Sequence, residues 1–519
     1  MYWADKIAGQ IIDSKKHKPY WVDDMKTPSG YAHVGSLRGP IIHSLIFRAL
    51  KDAGVEAKYT FVINDFDPAD ELPPEFKEEL KAYLGFPLRK VPSPVKGFDS
   101  LGTLLADDLI QTFRSMGVEA EILSSWEMYQ AGKFDGVIRE ALDSADKIQD
   151  IYQKVSGSAK KEKGWLPLQV ICENCGRVGT TRVYEWDGKE VTYKCEPNLV
   201  TWAKGCGHEG KISPFGGKGK LPWKVDWAAH WKVIGVTVEA AGKDHASAGG
   251  SYDIALTLCD EVFNFPRPFN FGYEFFLIGG KKMSSSKGLG QKAHDIIKIL
   301  PPEIARFLFA RTDFRQAIDF EPMGTMVIPD LFDEYDKAWQ AYVVGDNPDL
   351  ARTFELAQIT KVPAKEKIFL PRFRDVVNYI QFPDVDLEKK FAEVKGEKLT
   401  AGELAILKER EKYAKIWLEE YAPEEAKFRV ASSERAAKTR GKLPAEFYQE
   451  LIGKVEGTAS PEELEKEIYA LIKQSGSPAK AVFGEIYTLL INKAYGPKLA
   501  WLIWENKDKS LKLLKEAAK

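Results

Sequence analysis

Two short stretches carry residue types able to handle phosphate. The first, TPSGYAHVGS at 27–36, follows an apolar run and leads into a helical one. A glycine-containing turn in that setting lets the backbone approach a ligand closely, and the helix start behind it offers unpaired N–H groups and a positive dipole to an anion. His33 and Ser36 stand three apart, so one helical turn aims both at the same anion. The second, GGKKMSSSKG at 279–288, packs glycines, three serines and three lysines into ten residues, a hydroxyl-rich cationic loop suited to wrapping a polyphosphate. Taken singly, the first also reads as a strand-turn-helix with a structural histidine, and the second as a surface linker. The apolar run before the second stretch, and the occurrence of both in this order, weaken the linker reading.

A third constellation is made of soft metal ligands. Cys172-x2-Cys175 is followed by Cys195, then by Cys206 with His208 two residues on. A CxxC knuckle with two further thiolates suits a tetrahedral, structural zinc site with no open position for catalysis. Cys195 and Cys206 are the preferred third and fourth ligands, with His208 in reserve. The fifth cysteine, Cys259 in ALTLCDEVF, reads as a core residue.

The elements that must position these residues change character along the chain. Residues 1–165 alternate strand-like and helical stretches: YWVDD at 20–24, a helical run from about Leu37 to Ala53, YTFVIND at 59–65, and a further strand near 118–123. This is an α/β pattern with a parallel sheet. Residues 166–222 interrupt it with cysteines, glycines and short β-prone runs such as TRVYEW and KEVTY, a small inserted β module. The α/β pattern resumes over 223–330, with VTVEA at 236–240 and FNFGYEFFLIGG at 269–280, so the insertion splits the sheet. From 331 to 519 the signals are helical. In SPEELEKEIYALIKQ, Ser460 is an N-cap, Pro461 takes the first helical position, and Leu464, Ile468, Leu471 and Ile472 form one apolar face. Leu404, Leu407, Ala414, Trp417 and Leu418 repeat the arrangement.

Composition bounds the function. With 519 residues, 44% hydrophobic and 29% charged, the chain can bury several cores. It contains no run near the roughly 18 uncharged apolar residues of a membrane span, and acids come too early for a secretion signal. A cytoplasmic protein is expected. A formal net charge of −2 makes no global case for nucleic acid. Local basic faces exist at Lys427, Arg429, Arg435, Lys438, Arg440 and Lys442, and in the tail at Lys507, Lys509, Lys512, Lys515 and Lys519; each alone reads as a solvated helix face.

The two phosphate-type stretches together resemble the signatures HIGH and KMSKS of class I aminoacyl-tRNA synthetases. Here they stand as HVGS, with serine at 36, and KMSSS, with Ser285 in place of the second lysine and Lys287 following. These variants resemble the class I lysyl-tRNA synthetase family, and the likeness extends to LPWKVDWAAHW at 221–231, AGKDHASAGGSYD at 241–253 and GYEFF at 272–276. The resemblance implies a Rossmann-type parallel-sheet catalytic domain, an inserted zinc module and an all-α anticodon-binding region. It implies ATP and Mg²⁺, lysine and tRNA(Lys) as ligands and partners. By resemblance, His33, Ser36, Lys282, Ser284 and Lys287 serve catalysis, and Pro28, Gly30, Gly35, Met283, Ser285 and Ser286 join them around ATP. Thr27, Trp223, His245 and Tyr273 would line the amino-acid pocket, with Asp65 or Asp67 as its charge partner. Met25 stands where a glycine is expected and could reshape that pocket. Competing readings are a class I synthetase for glutamate, a small-molecule nucleotidyltransferase with the same strand-turn-helix site, and a catalytically idle RNA-binding relative.

Overall fold

The computed structural model describes residues 1–159, 164–283, 291–383, 385–431 and 443–519. They form two compact units: Met1–Phe320 with Ala338–Lys365, and Glu321–Lys337 with Glu366–Lys519.

The first unit is built on a five-stranded parallel sheet. In space the strands run Phe269–Tyr273, Val238–Gly242, Tyr20–Lys26, Ala57–Ile63, Glu121–Ser124. The chain therefore winds outward from Tyr20–Lys26 in one direction and then in the other. This is the doubly wound order, whose ligand crevice lies at the carboxyl ends of the strands where the direction switches. Strands covered on both faces read as unbroken apolar runs, and YTFVI is buried throughout. Tyr59 and Val62 show the two sides. The Tyr59 hydroxyl donates to the Pro40 carbonyl of the crossover helix Arg38–Asp52 at 3.0 Å. Val62 joins the opposite core with Trp227 and Trp231 of the helix Trp223–Ile234 and Tyr252 of the helix Ser251–Glu261.

The insertion is a β module. Gln169–Val170 and Gly219–Lys220 pair antiparallel as its stem, and Thr181–Trp186, Val191–Cys195 and Glu209–Ile212 form a three-stranded antiparallel sheet. The run at 269–280 is two strands rather than one. After Tyr273 the Glu274 amide bonds to the Phe314 carbonyl at 2.8 Å, and the chain leaves the main sheet. Phe276–Ile278 then pairs with Lys281–Lys282 and Ile318–Asp319.

The second unit is helical. Ser460 Oγ caps the helix Pro461–Gln474 by accepting from the Glu463 amide at 3.1 Å, and Leu464, Ile468, Leu471 and Ile472 are all buried. Thr400 and Glu403 make a reciprocal capping box at the start of Ala401–Ile416, and that helix runs on into a π-helical turn, Trp417–Tyr421, which buries Trp417. Of the basic run ending at Lys442, Arg435, Lys438, Arg440 and Lys442 lie outside the described residues. Among the described residues no helix is long and apolar enough to cross a membrane.

Ala338–Lys365 groups with the sheet unit. Arg48 and Arg352 tie it there, and so does Arg306, which is fully buried. Its guanidinium donates to the Leu356 carbonyl at 2.7 Å, the Met116 carbonyl at 3.0 Å and Ser44 Oγ at 3.0 Å. Arg306→Leu would orphan the Met116 carbonyl and leave the Leu356 carbonyl only the 3.4 Å bond from Arg48, so a loss of about 1–3 kcal/mol is expected. Calorimetric unfolding checks it, and an unchanged midpoint contradicts it.

Candidate active site

The first signature hangs from the carboxyl end of the strand Tyr20–Lys26, where the sheet switches direction. The turn from Thr27 leads through a short 3₁₀ segment, Val34–Leu37, into the helix Arg38–Asp52. Ser36 N bonds to the His33 carbonyl at 2.8 Å, and Ser36 Oγ is buried with no hydrogen-bond partner among the described residues. A buried hydroxyl in that condition is costly unless a ligand satisfies it. Burial, then the cations Lys26 and Lys282, push the His33 imidazole down to about 4, so it is neutral near pH 7. A side chain at Gly35 would meet the His33 ring at 3.0 Å and Met283 Cε at 3.1 Å, so this glycine allows the two signatures to approach.

Both ends of the second signature are anchored at the first. Before it, Met283 and Lys282 line the same cavity as His33 and Ser36. After it, the Gln291 carbonyl accepts from Val34 N at 3.0 Å, the Ala293 amide donates to the Ala32 carbonyl at 2.7 Å, and His33 and Lys292 form an antiparallel bridge. Ser284, Ser285, Ser286 and Lys287 lie outside the described residues. Lys282 stands over the Phe275 ring at 4.5 Å and forms an ion pair with Asp244.

The cavity, about 450 Å³, runs from these groups to the ends of Val238–Gly242 and Phe269–Tyr273, the fourth and fifth main-sheet strands in chain order. Thr27, Trp223, His245 and Tyr273 all line it. Trp223, 43% exposed, begins the helix Trp223–Ile234. His245 stands edge-on to Trp223 and Trp227, with ring centroids 5.6 and 5.5 Å away, and burial lowers its basicity. Tyr273 ends the fifth strand, its hydroxyl held well above the usual range by burial and by Asp24. Gly35 lines the cavity too, whereas Pro28 and Gly30 are buried in the turn and do not. Met25 lines it while packing on the core that contains Trp227.

The two carboxylates expected as charge partners are otherwise engaged. Asp65 accepts from Ser124 Oγ at 2.8 Å and from the Trp126 amide at 2.9 Å, which fixes a strand end. Asp67 accepts from Thr27 Oγ1 at 2.6 Å and pairs with Lys220 at 2.8 Å. Lys220, 1% exposed, also pairs with Asp226 at 2.9 Å, and Asp226 accepts from the Tyr129 hydroxyl at 2.5 Å. The stem of the inserted module thus reaches under the active-site turn. Sequence reading missed Lys220, Asp24, Lys26 and Glu239. The available signal was YWVDDMK itself, a buried central strand carrying three charges.

In the module, Cys172, Cys175, Cys195 and Cys206 converge, their sulfurs all within 4.8 Å of one another. Cys172–Cys206 and Cys175–Cys195 are each 3.7 Å apart, far beyond a disulfide and close to the roughly 3.8 Å edge of a tetrahedron with metal–sulfur bonds of about 2.3 Å. The four thiols fit a metal ion, and His208 is outside the cluster, its ring 5.9 Å from Tyr193.

Removing the buried cation of the Thr27–Asp67–Lys220–Asp226 network leaves two carboxylates uncompensated. Lys220→Met is expected to lower stability by about 3–5 kcal/mol. Urea unfolding measures it, and a loss below 1 kcal/mol contradicts it.

The family model described as tRNA synthetases class I (K) matches residues 1–361. A lysine–tRNA ligase of Archaeoglobus fulgidus is 32% identical over 507 residues, covering 97% of each chain. One of Methanocaldococcus jannaschii is 32% identical over 538 residues, covering 98% of each. Among solved structures, a glutamate–tRNA ligase of Elizabethkingia meningosepticum aligns over 96% of this chain and 99% of its own, at 12% identity and a TM-score of 0.44. By its matched family model and its full-length relatives, the chain belongs to the class I (K) tRNA synthetase family.

Proposed function

We propose that this chain activates lysine with ATP to lysyl-adenylate and transfers the lysyl group to tRNA(Lys), acting in the cytoplasm. The observation that carries the reading is the single cavity that both signature segments enter, with aromatic and imidazole side chains at its far end. The full-length relatives named lysine–tRNA ligase support lysine over glutamate, and the helical unit favours a tRNA-dependent enzyme over a small-molecule nucleotidyltransferase.

In adenylation a lysine carboxylate oxygen attacks the α-phosphorus of ATP, and the bond to the bridging oxygen of the β-phosphate breaks, releasing pyrophosphate. Negative charge grows on the phosphate oxygens and must be met in place. The buried Ser36 hydroxyl and the neutral His33 ring offer hydrogen bonds at the helix start. Lys282 brings a cation to the same cavity, and Ser284 and Lys287 follow it in sequence. Mg²⁺, when bound, shares the charge of the leaving pyrophosphate. A ribose hydroxyl at the tRNA terminus then attacks the lysyl carbonyl and AMP departs. The helical unit, with its basic stretches, would read the anticodon.

The four thiols, held at tetrahedral spacing away from the cavity lining, would bind one structural zinc.

Removing a preorganised donor of this kind slows the chemical step by about 10²- to 10³-fold. Lys282→Ala should cut lysine-dependent ATP–pyrophosphate exchange to that degree with unfolding unchanged. Near-normal exchange removes the loop from the mechanism. Metal analysis of the purified chain should find one zinc, lost in Cys175→Ser; a metal-free, fully folded chain contradicts the zinc assignment.

A further inference from the structure

The cavity's far end contains a carboxylate to which sequence reading assigned no role. Six acidic residues line the cavity, and five already have strong partners. Asp67 and Asp226 share Lys220, and Asp67 also holds Thr27. Glu239 accepts from the indoles of Trp227, at 2.8 Å, and Trp231. Asp244 pairs with Lys282 and Glu274 with Lys243. Asp24 has no lysine or arginine within ion-pair distance among the described residues. Its Oδ1 accepts from the adjacent Met25 amide at 2.9 Å, and its Oδ2 stands 3.6 Å from His43 Nδ1.

Burial opposes a charge on His43, and Asp24 outweighs it and raises the basicity of the ring, but the ring's close hydrogen bonds go elsewhere. The Ala240 amide donates to His43 Nε2 at 2.8 Å, so that nitrogen carries a lone pair and the single ring proton is on Nδ1, directed to the Gly39 carbonyl at 2.8 Å. Asp24, 8% exposed, thus has no close cation pair at its own oxygens among the described residues, and Lys26, two residues on along the strand, acts on it electrostatically. A buried carboxylate lining a cavity in this way offers a place to a ligand cation.

The surroundings are shaped to leave that carboxylate reachable. A methyl carbon added at Gly39 would lie 2.6 Å from Asp24 Oδ2 and 2.9 Å from the Tyr273 hydroxyl. The two oxygens therefore converge beside one another, and only the absence of a side chain at 39 permits it.

We infer that Asp24, with the Tyr273 hydroxyl and the room left by Gly39, seats the side-chain ammonium of the amino acid and determines specificity for a cationic substrate. This rests on the proposed lysine activation and names the residue that selects for it.

The test uses the full-length chain with Asp24→Asn, which keeps the shape and removes the charge. Lysine-dependent and norleucine-dependent ATP–pyrophosphate exchange are compared, because norleucine has the same aliphatic stem without the ammonium. Losing one partner of a buried charge pair should lower kcat/KM for lysine by at least about 30-fold. Norleucine exchange and the KM for ATP should stay within about 3-fold, the variation usual for neighbouring substitutions. Gly39→Ala, which displaces the carboxylate, should show the same selective loss, and it carries the test if Asp24→Asn does not fold. Equal losses for lysine and norleucine overturn the seat and leave the synthetase reading intact, as does an unchanged lysine value. A wild-type chain that activates no cationic amino acid overturns the reading and the seat together.

Discussion

The tie between the His33 turn and the segment that follows the serine- and lysine-rich run is what the site is built on. Two backbone hydrogen bonds, Val34 to Gln291 and Ala293 to Ala32, close a loop of chain that passes through four of the five main-sheet strands and the whole inserted module. Each is worth only about 0.5–1.5 kcal/mol net, so they select a position rather than create it. The position comes from the sheet. The first strand lies where the winding reverses, and the fourth and fifth strands add to its open side, which brings their carboxyl ends round to the turn. The glycine at 35 permits the final approach between Met283 and the His33 ring.

Buried charge is the second organising feature, and it is managed in two ways. Beneath Thr27 it is fully compensated: Lys220 satisfies Asp67 and Asp226, and the tyrosine and histidine around them accept or donate what remains. Such a network costs desolvation and returns rigidity. It couples the inserted module to the turn on which the substrate would rest. Across the cavity, Asp24, Glu239 and Asp23 crowd together in an apolar wall. Burial raises Glu239 to about 7 and Asp23 well above its usual range. Asp23 gives one oxygen to Thr60, and Glu239 spends both of its own on indoles.

Much of this was legible in the residues. Apolar, β-prone runs located the five parallel strands, most clearly Ala57–Ile63, whose YTFVI is buried throughout, and the capped amphipathic helix at Pro461–Gln474 stands as read. Spacing located the thiols, because a CxxC knuckle can only curl around one point. What escaped was long-range pairing. Nothing local in FNFGYEFFLIGG tells that Glu274 bonds to Phe314 and divides the run between two sheets. Nothing local marks Arg306 as the residue that holds 338–365 to the sheet unit, or Lys220 as the partner that takes Asp67 away from the substrate. The strand YWVDDMK was the clearest missed signal. Three charges in a central strand are tolerated only where a cavity or a buried partner receives them.

The central claim is that one ligand spans the cavity from the His33 turn to the end of the fifth strand. A crystal structure of the full chain with a non-hydrolysable lysyl-adenylate analogue tests it most directly. The account predicts the phosphate oxygens at Ser36 Oγ and His33, and the lysyl ammonium between Asp24 and Tyr273. An adenylate bound elsewhere, or a lysyl chain directed away from Asp24 toward Asp65 or Asp67, contradicts it.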